Sequence, residues 1–287
     1  MTIFKFWRKN PIHPQKTDLK NKVVIVTGAS SGIGKALVQR YHSAGANVVL
    51  AARSADKMEA IAAELEKNGS GRTLCIPTDV SKQADCENLI EKTATHFGRI
   101  DILINNAGIS MRALVKDLEV SVIEQVMQIN FFGTVYCTHA ALPHLLKSKG
   151  SIVGVSSIAG FRGLPARSGY SASKFAMHGF LESLRTELLE SGVHVLVACP
   201  GFTASNIRKV ALTSDGSAQG DTPLKEQKLM TAEEVADRIF KSVAKRKRTL
   251  VLTSQGRMTV FLNKLFPKFM DRMVFNHFRK EPDSPLK

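Results

Sequence analysis

Seven short apolar runs, separated by stretches of helical periodicity, set the fold of this chain from Lys22 onward. They are VVIVT at 23–27, NVVLA at 47–51, TLCIPTD at 73–79, IDILINN at 100–106, SIVGVSS at 151–157, VHVLVACP at 193–200 and TLVLT at 249–253. Between them the spacing predicts helices over about 33–44, 55–67, a segment ending at Phe97, a long one ending near Leu146, 167–190 and 231–245. Strands that are apolar at nearly every position have no face to give to water, so both faces must be covered. Strand–helix alternation then puts them in one parallel sheet. The expected fold is α/β, a Rossmann-type doubly wound parallel β-sheet with helices on both faces. The 287 residues, 44% of them hydrophobic, suffice for one such domain and its core but not for two full-sized ones.

The remaining sequence lies at the ends. The basic and aromatic opening, MTIFKFWRKNP, is followed by Pro11 and Pro14 rather than an apolar run, which is not the form of a cleavable signal peptide. No stretch reaches the ~18 to 20 apolar residues that span a bilayer. Residues 1–22, 241–248 and 257–287 supply +14 of the +15 net charge, leaving a nearly neutral body between basic pieces. Such a distribution points to an anionic surface as partner. Cys75, Cys86, Cys137 and Cys199 stand far apart without a C-x-x-C pair, so four reduced thiols, no metal site and a cytoplasmic setting are expected. The chain divides into a basic aromatic extension (1–20), the Rossmann-type domain (21–255, with a Ser/Thr/Gly-rich mobile segment at 204–229) and a basic amphipathic tail (256–287).

TGASSGIG, at 27–34, joins the first strand to the first helix. Glycines there permit a tight turn and close approach of a pyrophosphate to a helix N-terminus. Gly28, Ser30, Ser31, Gly32, Ile33 and Gly34 are therefore candidate dinucleotide contacts. At the end of the second strand an NAD site places an acidic residue to hold the ribose hydroxyls. This chain has Ala52 and then Arg53. Without a carboxylate to repel it, a 2′-phosphate can pair with the guanidinium, so the expected cofactor is NADP(H).

Tyr170 and Lys174 stand at i and i+4 near the start of a predicted helix and share one face. Ser157 ends the preceding strand, thirteen residues before Tyr170. With these residues in view, the sequence resembles the short-chain dehydrogenase/reductase family in its typical single-domain form. The resemblance is carried by TGASSGIG, Asp79-Val80, NNAG at 105–108, Asn130, Ser157, YSASK at 170–174 and Pro200-Gly201, and covers about residues 20–255. It implies that Asp79 and Val80 contact the adenine, and that Asn106, Ala107 and Gly108 lie beneath the adenine ribose. It further implies that Tyr170 protonates the substrate oxygen, Ser157 holds that oxygen, and Lys174 binds the nicotinamide ribose and lowers the tyrosine's pKa. Asn130 is implied to hold a water that links Lys174 to solvent. Elementary chemistry agrees: a phenol with a pKa of about 10 is a poor exchanger near neutrality unless a cation favours its anion. Two O–H donors also stabilise the charge that hydride delivery builds on a carbonyl oxygen. The sequence departs from the family after Pro200-Gly201, where Thr203 and Ser205 occupy positions often held by Val or Ile and by Thr. Thr203 is expected to approach the nicotinamide amide through its backbone.

In the tail, apolar pairs recur at Phe261-Leu262, Leu265-Phe266, Phe269-Met270, Met273-Val274 and His277-Phe278, with Lys264, Lys268, Arg272 and Lys280 between them. This spacing gives one apolar stripe flanked by cations, interrupted at Pro267 by a kink or a new helix. Three readings stay open. The tail packs on the domain's own cleft or on a second copy, it makes peripheral contact with an anionic membrane, or it binds nucleic acid, for which no reading motif is present. The expectation is a carbonyl–alcohol oxidoreductase on a lipophilic small-molecule substrate, in a homo-oligomer (dimer or tetramer) with no nucleic acid, peripheral membrane contact staying one of the open readings of the tail. A 3-oxoacyl-thioester reductase of fatty-acid synthesis and a non-enzymatic NADP-binding interaction protein are the alternatives. Apolar residues Ile158, Phe161 and Leu164, beside the active-site strand, are expected to line the substrate pocket.

Overall fold

The computed structural model describes residues 19–68, 71–203, 207–220, 229–281 and 284–287. Most of the basic N-terminal extension and Ser205 lie outside them. Each predicted run forms a strand: β1 Val23–Thr27, β2 Asn47–Ala52, β3 Thr73–Pro77, β4 Ile102–Asn105, β5 Ser151–Val155, β6 His194–Cys199 and β7 Thr249–Val251. They make one sheet in the order β3-β2-β1-β4-β5-β6-β7, parallel throughout. From β1 the chain winds outward to β3, then returns to β4 and winds the other way. The reversal leaves a crevice above the C-terminal ends of β1 and β4, where such sheets bind ligands.

Alternate residues of the strands feed opposite layers. Val24, Val26, Leu50 and Ile104 pack with Leu37 and Tyr41 of helix α1 (Gly32–His42) and with Val235 and Ile239 of α7 (Ala232–Ala244). Val23, Ile25, Val49 and Leu103 pack with Leu89 of α3 (Gln83–Phe97), Leu145 of α5 (Gly133–Ser148) and Leu181 of α6 (Ser168–Glu187). Val24, Ile25 and Val26 are fully buried, each contributing roughly 1.5–3 kcal/mol. A capping box opens α7: Thr231 Oγ1 accepts from Glu234 N at 3.2 Å, and Thr231 N donates to Glu234 Oε2 at 3.0 Å.

Three departures from the sequence reading bear on the site. The long helix ending near Leu146 is two helices, α4 (Val120–Met127) and α5, joined by a π turn at Gln128–Phe132. Such a turn inserts a residue into the α ladder, and Asn130 sits in it. Residues 207–220, within the segment read as mobile, are tied down. Leu212 N donates to Ser110 O at 2.9 Å and Arg112 N to Leu212 O at 2.8 Å, and Ala211 and Leu212 are buried. Finally, the tail is two helices, α8 (Ser254–Leu265) and α9 (Pro267–Arg279), with Pro267 opening the second. Helix α2 (Ala55–Asn68) completes the set.

Candidate active site

Thr27, at the end of β1, is the brace of the crevice. Its Oγ1 accepts from the backbone N–H groups of Asn106 and Ala107, both at 3.0 Å, while Asn106 Nδ2 donates to Thr27 O at 2.9 Å and Gly28 O at 3.3 Å. The end of β4 is thereby sewn to the glycine turn. Gly28 lies at φ 66°, and a Cβ there would stand 2.9 Å from Ala107 Cα, so both backbone conformation and contact demand glycine. Next, α1 starts from an extended Ser31 with no side-chain cap and no acidic residue in its first turn. The N–H groups of Gly32, Ile33 and Gly34 thus begin a helix whose dipole no carboxylate offsets, which fits an anionic pyrophosphate. Ser30 precedes them in the same turn.

At the neighbouring strand ends, Ala52 pairs with Pro77 and is buried, while Arg53 is exposed. Burial pushes the Asp79 carboxyl up, but hydrogen bonds from Ser81 and the charges of Arg53 and Lys82 outweigh it and hold the pKa below its ordinary value. Arg53 and Asp79 therefore act on the same space, with buried Val80 next along the chain. Val80 also touches Gly133, where a Cβ would lie 2.9 Å from Val80 Cγ2.

Ser157, Tyr170, Lys174 and Asn130 come together at the end of β5 and the start of α6. Ser157 is half-buried with extended backbone, and its Oγ accepts from Ala159 N at 3.1 Å. Lys174 is only 3% exposed, its Nζ 5.7 Å from the Tyr170 ring centre and donating to Val155 O at 3.0 Å. Burial lowers its pKa to about 8. Burial raises the Tyr170 phenol above its ordinary value, against a hydrogen bond with Ser157 and the charge of Arg167, which pull it down.

The side chain of Asn130, fully buried, is spent on the loop below β4. Its Oδ1 accepts from Ile109 N at 2.8 Å, and its Nδ2 donates to Ile109 O and to Ser173 Oγ, both at 2.9 Å. Gly108 runs between Asn130 and Lys174: a Cβ there would lie 3.1 Å from Asn130 Oδ1 and 3.5 Å from Lys174 Nζ. On the far side, Ile158 N donates to Pro200 O at 3.2 Å, and Gly201 lies against Thr253. Thr203 is buried, and its backbone oxygen accepts from Arg208 Nη1 at 3.0 Å.

Several residues here were not legible as site residues. His178 stands at i+4 from Lys174 and i+8 from Tyr170, the one spacing that could have flagged it. Its Nε2 is 2.8 Å from Ser156 Oγ and 3.5 Å from Cys199 Sγ. Burial, then the charges of Lys174 and Arg185, lower its pKa to about 4, while burial pushes the Cys199 thiol up to about 12. A neutral imidazole therefore backs the strand end, and Ser156 faces it while Ser157 acts on Tyr170.

The tail forms one wall. Met270, Val274 and Phe278 of α9 are buried against Leu164, Phe202 and Leu262. Phe161 meets His178 edge-on, and its backbone oxygen accepts from Asn263 Nδ2 at 3.1 Å. Arg162 pairs with Asp271 of α9. Tyr170 packs with Met111, Val122, Val126 and Leu212, so the anchored part of the 204–229 segment reaches the side of Tyr170.

The family profile described as short chain dehydrogenase matches residues 22–215. The chain belongs to this family. Among curated short-chain dehydrogenases, it is 37% identical over 287 residues to mouse dehydrogenase/reductase SDR family member 7B, covering 98% of this chain and 89% of that protein. It is 36% identical over 261 residues to 11-beta-hydroxysteroid dehydrogenase A of Arachis hypogaea, covering 88% and 74%. Two solved structures of the fold superpose well. One is an alcohol dehydrogenase of Thermococcus sibiricus complexed with 5-hydroxy-NADP, with a TM-score of 0.72, 25% identity and coverage of 80% of this chain and 95% of that one. The other is a short chain dehydrogenase/reductase of Burkholderia phymatum in complex with NAD, with a TM-score of 0.76, 24% identity and coverage of 88% and 96%. As a short-chain dehydrogenase, the chain is a nucleotide-binding oxidoreductase of CH–OH groups that takes a nicotinamide cofactor and a small-molecule substrate.

Proposed function

We propose that this chain is an NADP(H)-dependent oxidoreductase that interconverts a carbonyl and a secondary alcohol on a lipophilic substrate, with Tyr170 as general acid and base. The reading is carried by one observation: Ser157 and Tyr170 lie against each other with Lys174 buried beside them, its Nζ 5.7 Å from the Tyr170 ring centre. When bound, the nicotinamide supplies the hydride. The residues that hold the cofactor are those of the glycine turn, Asp79-Val80, Asn106 to Gly108, Tyr170, Lys174, Pro200, Gly201 and Thr203, with Arg53 on the 2′-phosphate.

In reduction, Ser157 Oγ–H and Tyr170 Oη–H both donate to the substrate oxygen, and the phenol proton transfers as that oxygen gains negative charge. A phenol raised by burial stays protonated at neutral pH, so the resting site is set to give a proton. Return of the proton runs through Lys174, which with a pKa near 8 can release it far more readily than an exposed lysine. Since the Asn130 side chain is committed to Ile109 and Ser173, and its main-chain carbonyl accepts from Thr134 Oγ1 at 2.9 Å, its part in a relay falls to the second lone pair of that carbonyl, within the π turn. The lipophilic substrate is supported by Leu164, Phe202 and the inner residues of α9 on one side and Met111 and Leu212 on the other.

The test is NADPH oxidation with a panel of ketones and 3-oxoacyl thioesters, in the native chain and in Tyr170→Phe. Loss of turnover by about a hundredfold or more on substitution is expected. Unchanged turnover refutes the mechanism, and a preference for acyl thioesters over steroidal or long-chain ketones replaces the substrate assignment.

A further inference from the structure

The tail's apolar pairs do not form one stripe; the helices divide every pair but Leu265-Phe266 between two sides. Leu262, Met270, Val274 and Phe278 turn to the protein. Met258, Phe261, Leu265, Phe266, Phe269, Met273 and Phe275 turn to solvent, Phe261 at 61% and Phe269 at 59% exposure. Half of the large exposed apolar side chains of the described residues lie in this stretch of two helices, a density that marks an interaction surface rather than scattered exposure.

The charges on the same helices select the partner. Across 254–280 there are six lysines and arginines against one acidic residue, Asp271, which is already paired with Arg162. A second copy meeting this face about a two-fold axis would set like charge against like charge. A phospholipid surface with anionic headgroups instead accepts the cations and the apolar side chains together. Among the described residues no helix is long and apolar enough to cross a membrane, so contact through α8 and α9 would lie in the interface plane.

We propose that the outer face of α8 and α9 docks on a bilayer containing anionic lipid while the inner face of the same helices walls the substrate cleft. The cleft then opens beside the bilayer, and, on the lipophilic-substrate reading above, the substrate enters from the lipid rather than from water. Docking itself does not depend on that reading.

Co-sedimentation of the full chain with phosphatidylcholine vesicles, with and without phosphatidylserine, tests this directly. Binding at least about tenfold tighter to the anionic vesicles, weakened by salt, is expected. A Phe261→Glu/Phe269→Glu variant should lose vesicle binding, and Lys264→Glu/Lys268→Glu should lose the difference between the two lipids. Both should keep the native unfolding midpoint and turnover of a water-soluble ketone. Absence of binding by the native chain overturns the proposal. So does unaltered binding in the phenylalanine variant, or a variant that dissociates an oligomer while its vesicle binding persists. Because binding is read without turnover, an inactive chain that still sediments with vesicles refutes the functional reading alone.

Discussion

Glu281 holds Arg167 and Arg112 with one buried carboxylate, Oε2 standing 3.2 Å from the Nη2 of the first and 3.5 Å from that of the second. The contact spans 114 residues from the end of α9 to the residue before α6, three positions ahead of Tyr170. Arg167 also stacks on Phe278 at 4.7 Å from the ring centre. Breaking a buried ion pair leaves charge without compensation, so Glu281→Gln should cost about 3 kcal/mol in urea unfolding, with Glu281→Asp recovering part of it. Because the charge of Arg167 lowers the Tyr170 pKa, removing its counter-charge should also move the alkaline limb of kcat/KM to lower pH. A loss under about 0.5 kcal/mol with an unmoved limb contradicts both roles.

Adjacent serines should behave differently. On the proposed mechanism Ser157→Ala removes a donor to the substrate oxygen, and it is expected to lower kcat/KM by about a hundredfold or more. Ser156→Ala removes a partner of neutral His178 and should cost less than about tenfold. Parallel steady-state kinetics decide it, and equal losses would deny that Ser157 is the catalytic one.

Lys174 should weaken the fold it serves. Its folded pKa, near 8, lies below the ~10.4 of an unfolded lysine, so between those values the unfolded chain binds the extra proton and stability rises with pH. Below pH 8 the full cost applies, about 3 kcal/mol from the size of the shift. Lys174→Met is expected to abolish turnover, to raise the unfolding midpoint at neutral pH by about 3 °C or more, and to flatten this rise with pH. A variant less stable than the native chain at pH 7 would overturn the account.

Cofactor choice is the fourth prediction. Arg53→Ala should raise KM for NADPH about tenfold or more, the worth of one charge-assisted pair, and leave KM for NADH unchanged. An equal effect on both cofactors removes Arg53 from the 2′-phosphate.

Local signals explain what the sequence yielded. Each strand was legible because burial on both faces forces continuous apolar runs such as VVIVT, and the Tyr170–Lys174 pair because helical spacing alone puts them together. The bridge from Glu281 to Arg167 was not, since it joins segments far apart in the chain. Nor was the face-by-face division of Phe269 and Met270, neighbours of one apolarity whose fates depend on where α9 meets Leu164 and Phe202. The raised phenol of Tyr170 depends on how much protein surrounds it, a quantity no spacing encodes. Residues 207–220 looked unattached because their anchors, Leu212 to Ser110 and Arg112, and Glu119 to Ser214, are backbone hydrogen bonds that any side chains could accompany.

The π turn at Gln128–Phe132 works as a phase shift between two rotors. Helix α4 faces α6, where Tyr170 and Lys174 reside, whereas α5 faces α3 and the structural core. Winding the turn back to α geometry by deleting one residue would rotate one half against the other by about 100°. Either Asn130 would leave Ile109 and Ser173 or Leu145 would leave the core. That single surplus residue lets one continuous rod keep two appointments, one with the chemistry and one with the fold.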